Sequence, residues 1–215
     1  MKKSLLLIAT AVLAMTACTQ DVAEMDGGAT ALGGEINVSA AIDENTRTSM
    51  TADGDNLNIA WEAGDGIGMF ASDANGELAY NLKYVAATSA ADSKLNADGA
   101  SIKWGTGTHQ FYAYYPYTTA TDATAVPISV PAVQEQSAAG DLAHLQPYAF
   151  LYAQKSSAQA ASVQLNFKNA LSVLEVNLCT GRGAINCEGI IFRAKDNSEV
   201  LSTEGATIDL TTGAL

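Results

Sequence analysis

From Glu35 onward, apolar positions recur every second residue, and turn-forming residues break the pattern at short intervals. In residues 35–43, EINVSAAID, the apolar side chains Ile36, Val38, Ala40 and Ile42 alternate with polar or small ones. LNIAW sets Leu57, Ile59 and Trp61 on one face, EAGDG turns, and IGMF sets Ile67 and Met69 on one face, which predicts a hairpin. AYNLKYV alternates Tyr80, Leu82 and Tyr84; ASIKW follows a polar stretch; HQFYAYYPY places Phe111, Ala113 and Tyr115 opposite Tyr112 and Tyr114. Pro116 ends that strand or holds it at an edge. VPISVP repeats the alternation with Val126, Ile128 and Val130, and VQLNF, SVLEVNL, GIIFRA, EVLS and ATIDL continue it. Residues 138–153 are the one stretch that suits a helix, of one or two turns, with Asp141 as a cap and Pro147 as a stop. Many short strands and little helix predict an all-β protein built as a β-sandwich or a pair of them.

Ahead of Glu35 the pattern differs. Lys2 and Lys3 precede an apolar run from Ser4 to Ala14 that is too short to span a bilayer, and Met15-Thr16-Ala17 brings small residues up to Cys18. This is the layout of a lipoprotein export signal, with Cys18 as the lipidated mature N-terminus. Residues 18–34 are polar, acidic and rich in Gly and Ala, which suits a tether. Asp21, Glu24 and Asp26, close behind the lipidated cysteine, resemble signals that route lipoproteins to the outer face of Gram-negative cells. The expected organisation is a signal peptide at 1–17, a tether at 18–34, an N-terminal sandwich at 35–160, and the start of a C-terminal sandwich at 161–215, which ends in the turn signal TTGAL.

The chain of 215 residues is 48% hydrophobic, ample for a packed core. Its formal charge is −12, and removing residues 1–17 takes away two lysines and no acid, giving −14. So acidic a surface argues against nucleic acid and against electrostatic docking on anionic lipid, so membrane attachment is expected through the lipid alone.

Of three cysteines, Cys179 and Cys187 remain after Cys18, flanking TGRGAIN. If their neighbouring strands pair, the two thiols face each other at the mouth of a hairpin and are bridgeable; two reduced, buried cysteines are the alternative. No metal site is expected, because His109 and His144 are the only histidines and neither is near the cysteines in sequence.

G-x-S-x-G, H-E-x-x-H and G-x-x-x-x-G-K-[ST] are all missing, so no enzyme and no cofactor are expected. A carboxylate pair of the glycosidase kind would need two acids set across a sugar, and nothing singles out such a pair among twenty-three. Asp53-Gly54-Asp55-Asn56 begins like a calcium loop, but Leu57, Asn58 and Gly64 occupy the fifth, sixth and twelfth positions, where a ligand, Gly and Glu are required. Gly64-Asp65-Gly66-Ile67-Gly68 opens a strand rather than a helix, so it reads as a turn. The aromatic run leaves two readings: core and cross-strand packing, or exposed rings such as Tyr112 and Tyr114 stacking on sugars.

Several spaced blocks carry a resemblance. Behind the lipoprotein signal come Thr46-Arg47-Thr48, W-E-A-G-D-G-I-G-M-F at 61–70, F-Y-A-Y-Y-P-Y at 111–117, Gln134 and Gln136, and L-N-F-K-N-A-L-S-V-L-E-V at 165–176. In this order they resemble the fimbrillin-like family of Gram-negative anaerobes, which contains the type V pilins. Lys168 and Asn169 stand where the family commonly has a histidine, and family members typically continue beyond position 215. The resemblance implies two transthyretin-like sandwiches and a location at the outer membrane and cell surface. It also implies a trypsin-like protease that cuts after Arg47, removing the strand near 35–43. The exposed groove then takes a strand from another pilus subunit. The alternatives are a pilus anchor or accessory subunit that does not polymerise, and a surface-anchored glycan-binding lipoprotein.

Overall fold

The computed structural model describes residues 32–42, 51–53, 56–58, 60–138, 141–174, 176, 181, 187–192, 195–196 and 205–215. In chain order the strands are β1 (Asn37–Ile42), β2 (Thr51–Asp53), β3 (Asn56–Asn58), β4 (Gly66–Asp73), β5 (Gly76–Ala86), β6 (Asp92–Ala97), β7 (His109–Tyr115), β8 (Val126–Ile128), β9 (Leu151–Ser157), β10 (Ser162–Asn169) and β11 (Ala206–Ile208). A short 3-10 helix, Ala143–Tyr148, lies between β8 and β9.

Seven strands form one closed sheet in the order β1-β10-β9-β7-β4-β5-β6, with β6 pairing back onto β1. The protein is all-β as the alternation requires, but the expected pair of facing sheets is a single closed one, because β1 hydrogen-bonds on both of its edges. The boundary drawn at 160/161 does not divide it: β10, at 162–169, lies between β1 and β9 in the same sheet. Two smaller two-stranded sheets, β8 with β11 and β2 with β3, stand outside it.

Alternation explains most of the core. Val38, Ala40 and Ile42 from β1, Ile67 and Met69 from β4, Phe111 and Ala113 from β7, and Val163, Leu165 and Phe167 from β10 all point into the barrel and are buried. Burying each large apolar side chain among them contributes about 1.5–3 kcal/mol. Trp61 and Trp104 fill the interior from loops rather than strands. A second apolar cluster lies on the outer face, where Phe70 and Tyr114 are covered by Val126, Ile128, Ile208 and Leu210. That outer layer explains why β4 is buried on both faces, with the pattern iBBBBBii.

Four local expectations change. The hairpin drawn from LNIAW to IGMF is not formed: β3 pairs with β2, while β4 pairs with β5 and β7. ASIKW makes no strand; Lys103 forms an isolated bridge to Glu35, and Ile102 and Trp104 turn inward. In the helical stretch, Pro147 lies inside the 3-10 helix rather than ending it, and Leu151–Ala153 already belong to β9. Asp141 does assist the start of the helix, its Oδ1 accepting the Ala143 N–H at 2.9 Å. The described residues of SVLEVNL and GIIFRA carry no strand.

Candidate functional site: the closing strand and the outer-face cleft

β1 is the strand that closes the sheet. It runs parallel to β10, pairing Val38 with Val163, Ala40 with Leu165 and Ile42 with Phe167. On its other edge it runs antiparallel to β6, pairing Val38 with Leu95 and Ala40 with Ser93. Parallel pairing of residues so far apart needs a long crossover, and here it draws the beginning and the later part of the chain together. The approach to β1 is also tied down: the Gly33 N–H donates to the Trp104 carbonyl at 2.8 Å, Ile36 N–H to Ile102 at 3.0 Å, and Ser101 Oγ to Glu35 Oε1 at 2.8 Å. The four inward side chains Ile36, Val38, Ala40 and Ile42 are all buried, and Ala40 is 0% exposed. Ala40 therefore sits at a place in the barrel that accepts a methyl group and little more.

The far end of β1 meets an aromatic corner. Phe167, the partner of Ile42, packs edge-on against Trp61 with centroids 5.0 Å apart, and Trp61 packs edge-on against Tyr115 at 5.6 Å. The turn after Trp61 holds this corner in place. Gly64, at φ +98°, donates its N–H to the Ala86 carbonyl at 2.9 Å, and Asp65 accepts from the Glu62 N–H at 2.8 Å and from the Tyr115 hydroxyl at 3.2 Å. Burial, followed by the negative charge of Asp65, pushes the Tyr115 phenol well above its ordinary range. Asp65 is thus a turn residue with a defined partner, in keeping with the turn reading of Gly64-Asp65-Gly66.

Other residues singled out from sequence fare differently. Cys18, Arg47 and Cys179 lie outside the described residues. Cys187 carries a free, exposed thiol that donates to the Gly189 carbonyl at 3.4 Å. Tyr114 is only 3% exposed; its ring lies over Gly68 and its hydroxyl shares its one proton between Asn81 Oδ1 at 2.7 Å and the Thr118 carbonyl at 2.6 Å. Its part in a sugar-stacking surface is therefore withdrawn, since β8 and β11 seal the ring from solvent.

Tyr112 remains half-buried on the outer face, beside a cleft of about 230 Å³. Phe70, its cross-strand partner, and Tyr80 share that cleft, with Ser72, Glu77, Thr121 and Asp122 around them. Alternation alone puts Tyr80 on the face of Leu82 and Tyr84. Instead Asn81 adopts φ +46°, the β4–β5 register shifts nearby, and Tyr80 turns outward to 48% exposure while Tyr84 stays inside. Asn81 Nδ2 then donates to the Thr118 and Ala120 carbonyls at 3.0 and 3.1 Å, fastening the following loop onto the sheet. The one sequence signal for this was the residue type, since Asn tolerates a left-handed backbone.

The model of the fimbrillin-like family matches residues 46–215. The chain belongs to the fimbrillin-like family. A comparison with curated proteins finds no match. Among solved structures, the chain is similar to a candidate cell adhesion protein from Bacteroides ovatus, at 20% identity over 64% of this chain and 52% of that one, with a TM-score of 0.42. A candidate cell adhesion protein from Bacteroides uniformis gives 22% identity over 64% and 48%, with a TM-score of 0.41. A fimbrial protein from Bacteroides ovatus gives 21% identity over 63% and 27%, with a TM-score of 0.35. This fimbrillin-like chain thus spans about half the length of the first two. The family match begins at Thr46, beyond the end of β1. Within the matched span, the blocks at 61–70, 111–117 and 165–176 meet in space through Trp61, Tyr115 and Phe167.

Proposed function

We propose that this fimbrillin-like chain is a structural subunit of a cell-surface fimbria that serves adhesion. It is exported as a lipoprotein, anchored in the outer membrane through Cys18, and joined to other subunits by strand exchange. The observation that carries the reading is the position of β1, paired on both edges and closing the sheet at the start of the folded body. Removing such a strand leaves β6 and β10 with unpaired backbone groups above an apolar floor, a receptor for an extended segment of a neighbour. A cut after Arg47 falls beyond the end of β1 and two residues into the family-matched span, so it separates the strand and its lipid from nearly all of that span. In this reading the closed sheet is the counterpart of the first transthyretin-like sandwich of the family, and a second one begins after β10.

The test is limited digestion of the folded, full-length precursor with trypsin. Cleavage first at Arg47, followed by ladders of linked subunits on a denaturing gel run without boiling, is the expected outcome. A product cut at Arg47 that stays monomeric points instead to an anchor or accessory subunit, and resistance at Arg47 removes the processing step.

A further inference from the structure

The outer-face cleft is built of parts that suit a ligand, and it lies apart from β1. Its floor is apolar: Phe70 from β4 and Tyr112 from β7, with the chain at Ala71 and Ala79, both members of the barrel core, beneath them. Tyr80 from β5 forms one wall, standing edge-on to Phe70 at a centroid distance of 5.8 Å, with its hydroxyl fixed to the Thr121 carbonyl. The loop 121–123 forms the other wall.

Uncommitted polar groups surround this floor. The Tyr112 hydroxyl, the Ser72 hydroxyl and the Glu77 carboxylate have no partner among the described residues. Asp122 spends Oδ1 on the Thr124 N–H at 2.8 Å and its hydroxyl at 2.9 Å, which leaves Oδ2 unengaged among the described residues. Those same bonds hold the Asp122 carboxyl below its ordinary range, so it is an anionic acceptor at neutral pH. Ser72 and Glu77 are cross-strand neighbours, so their oxygens stand at the same edge of the cleft.

We propose that this cleft binds one neutral sugar ring of a glycan. The electron-rich face of an aromatic ring attracts the polarised C–H groups of a pyranose, and carboxylates accept from its hydroxyls while Tyr and Ser hydroxyls both donate and accept. A volume of about 230 Å³ is smaller than the roughly 300–1,000 Å³ of sites for drug-sized ligands, which limits occupancy to about one ring. Glu77, Asp122 and a formal charge of −12 disfavour sialylated or sulfated glycans. The site does not depend on strand exchange: it would serve a polymerised subunit or a solitary one.

The experiment is saturation-transfer NMR and calorimetry on the full chain with glucose, galactose, mannose, fucose and N-acetylglucosamine, plus sialic acid as the anionic control. The variants are Tyr112→Phe and Glu77→Gln, which remove one polar group each and leave the apolar packing in place. At least one neutral sugar binds the wild type, sialic acid does not, and each substitution weakens binding about tenfold, close to 1.4 kcal/mol, with the melting temperature unchanged. Absence of binding by every neutral sugar overturns the proposal, as does binding that survives both substitutions or that is matched by sialic acid.

Discussion

The Trp61 indole meets the Phe167 ring edge-on, with centroids 5.0 Å apart and 82° between the ring planes. Phe167 is the partner of Ile42 at the end of β1, so the two rings close the barrel beside the strand that closes the sheet. Both are 0% exposed. Trp61→Ala is predicted to cost about 3–5 kcal/mol, through lost transfer energy and the cavity left behind. Trp61→Phe is expected to cost less, and urea denaturation of both variants checks the order.

Gly68 and Tyr114 form a second dependent pair. They are cross-strand partners, and a Cβ added at Gly68 would fall on the Tyr114 ring. Gly68→Ala is therefore predicted to destabilise by about 1–3 kcal/mol, as other overpacked sites do. In the double variant with Tyr114→Ala the two costs are not additive, because removing the ring removes the clash. A double-mutant cycle by chemical denaturation measures the coupling.

Tyr114 also sets a limit at high pH. Burial, only partly offset by the hydrogen bonds to Thr118 and Asn81, pushes its phenol up from 10.0 to about 12. The folded state thus holds the proton after the unfolded state has released it. The contribution is whole below about pH 10 and is lost as pH rises from there towards 12. Tyr114→Phe removes one titrating group, so the alkaline fall in stability between those pH values is predicted to be shallower than in wild type. Melting temperatures across that range decide it.

At the acid end, Asp73 acts with the opposite sign. Its carboxylate accepts the Thr106 and Asn75 N–H groups, and these bonds hold its acidity below the ordinary aspartate range. The unfolded state therefore takes up a proton first. The contribution is present above the ordinary aspartate range and is lost as pH falls through and below it. Asp73→Asn is predicted to flatten the acid limb of the stability profile.

The period of two was sufficient to find β1, β4, β7 and β10, since each puts three or more apolar residues on one side. It misses β6, whose inward side carries Ser93, Leu95 and Ala97, with Leu95 the one large apolar side chain, between the polar Asp92, Lys94 and Asn96. It failed in β5 because Asn81 shifts the register and re-aims Tyr80, and no period reveals a bulge before pairing is known. The apolar run through 151–153 reads as part of the helical stretch because short apolar runs suit either structure, and its pairing with β7 and β10 makes it a strand. Burial of Tyr114 was beyond local reading, because the covering residues Val126, Ile128 and Ile208 come from distant segments. What closes the sheet is likewise hidden: alternation predicts a strand within residues 35–43, where β1 is found, but not that β6 and β10 lie on either side of it.

The most direct measurement is strand replacement in the full-length protein after cleavage at Arg47, using a labelled synthetic peptide with the sequence of residues 35–42. Ala40 is 0% exposed between Leu165 and Ser93, so a peptide carrying Leu at the position of Ala40 serves as the discriminating control. Fluorescence anisotropy is predicted to show the native-sequence peptide entering the cleaved protein and the Ala40→Leu peptide binding roughly 5- to 160-fold more weakly, as overpacking by about 1–3 kcal/mol requires. A cleaved protein that takes up neither peptide, or both equally well, contradicts a replaceable closing strand.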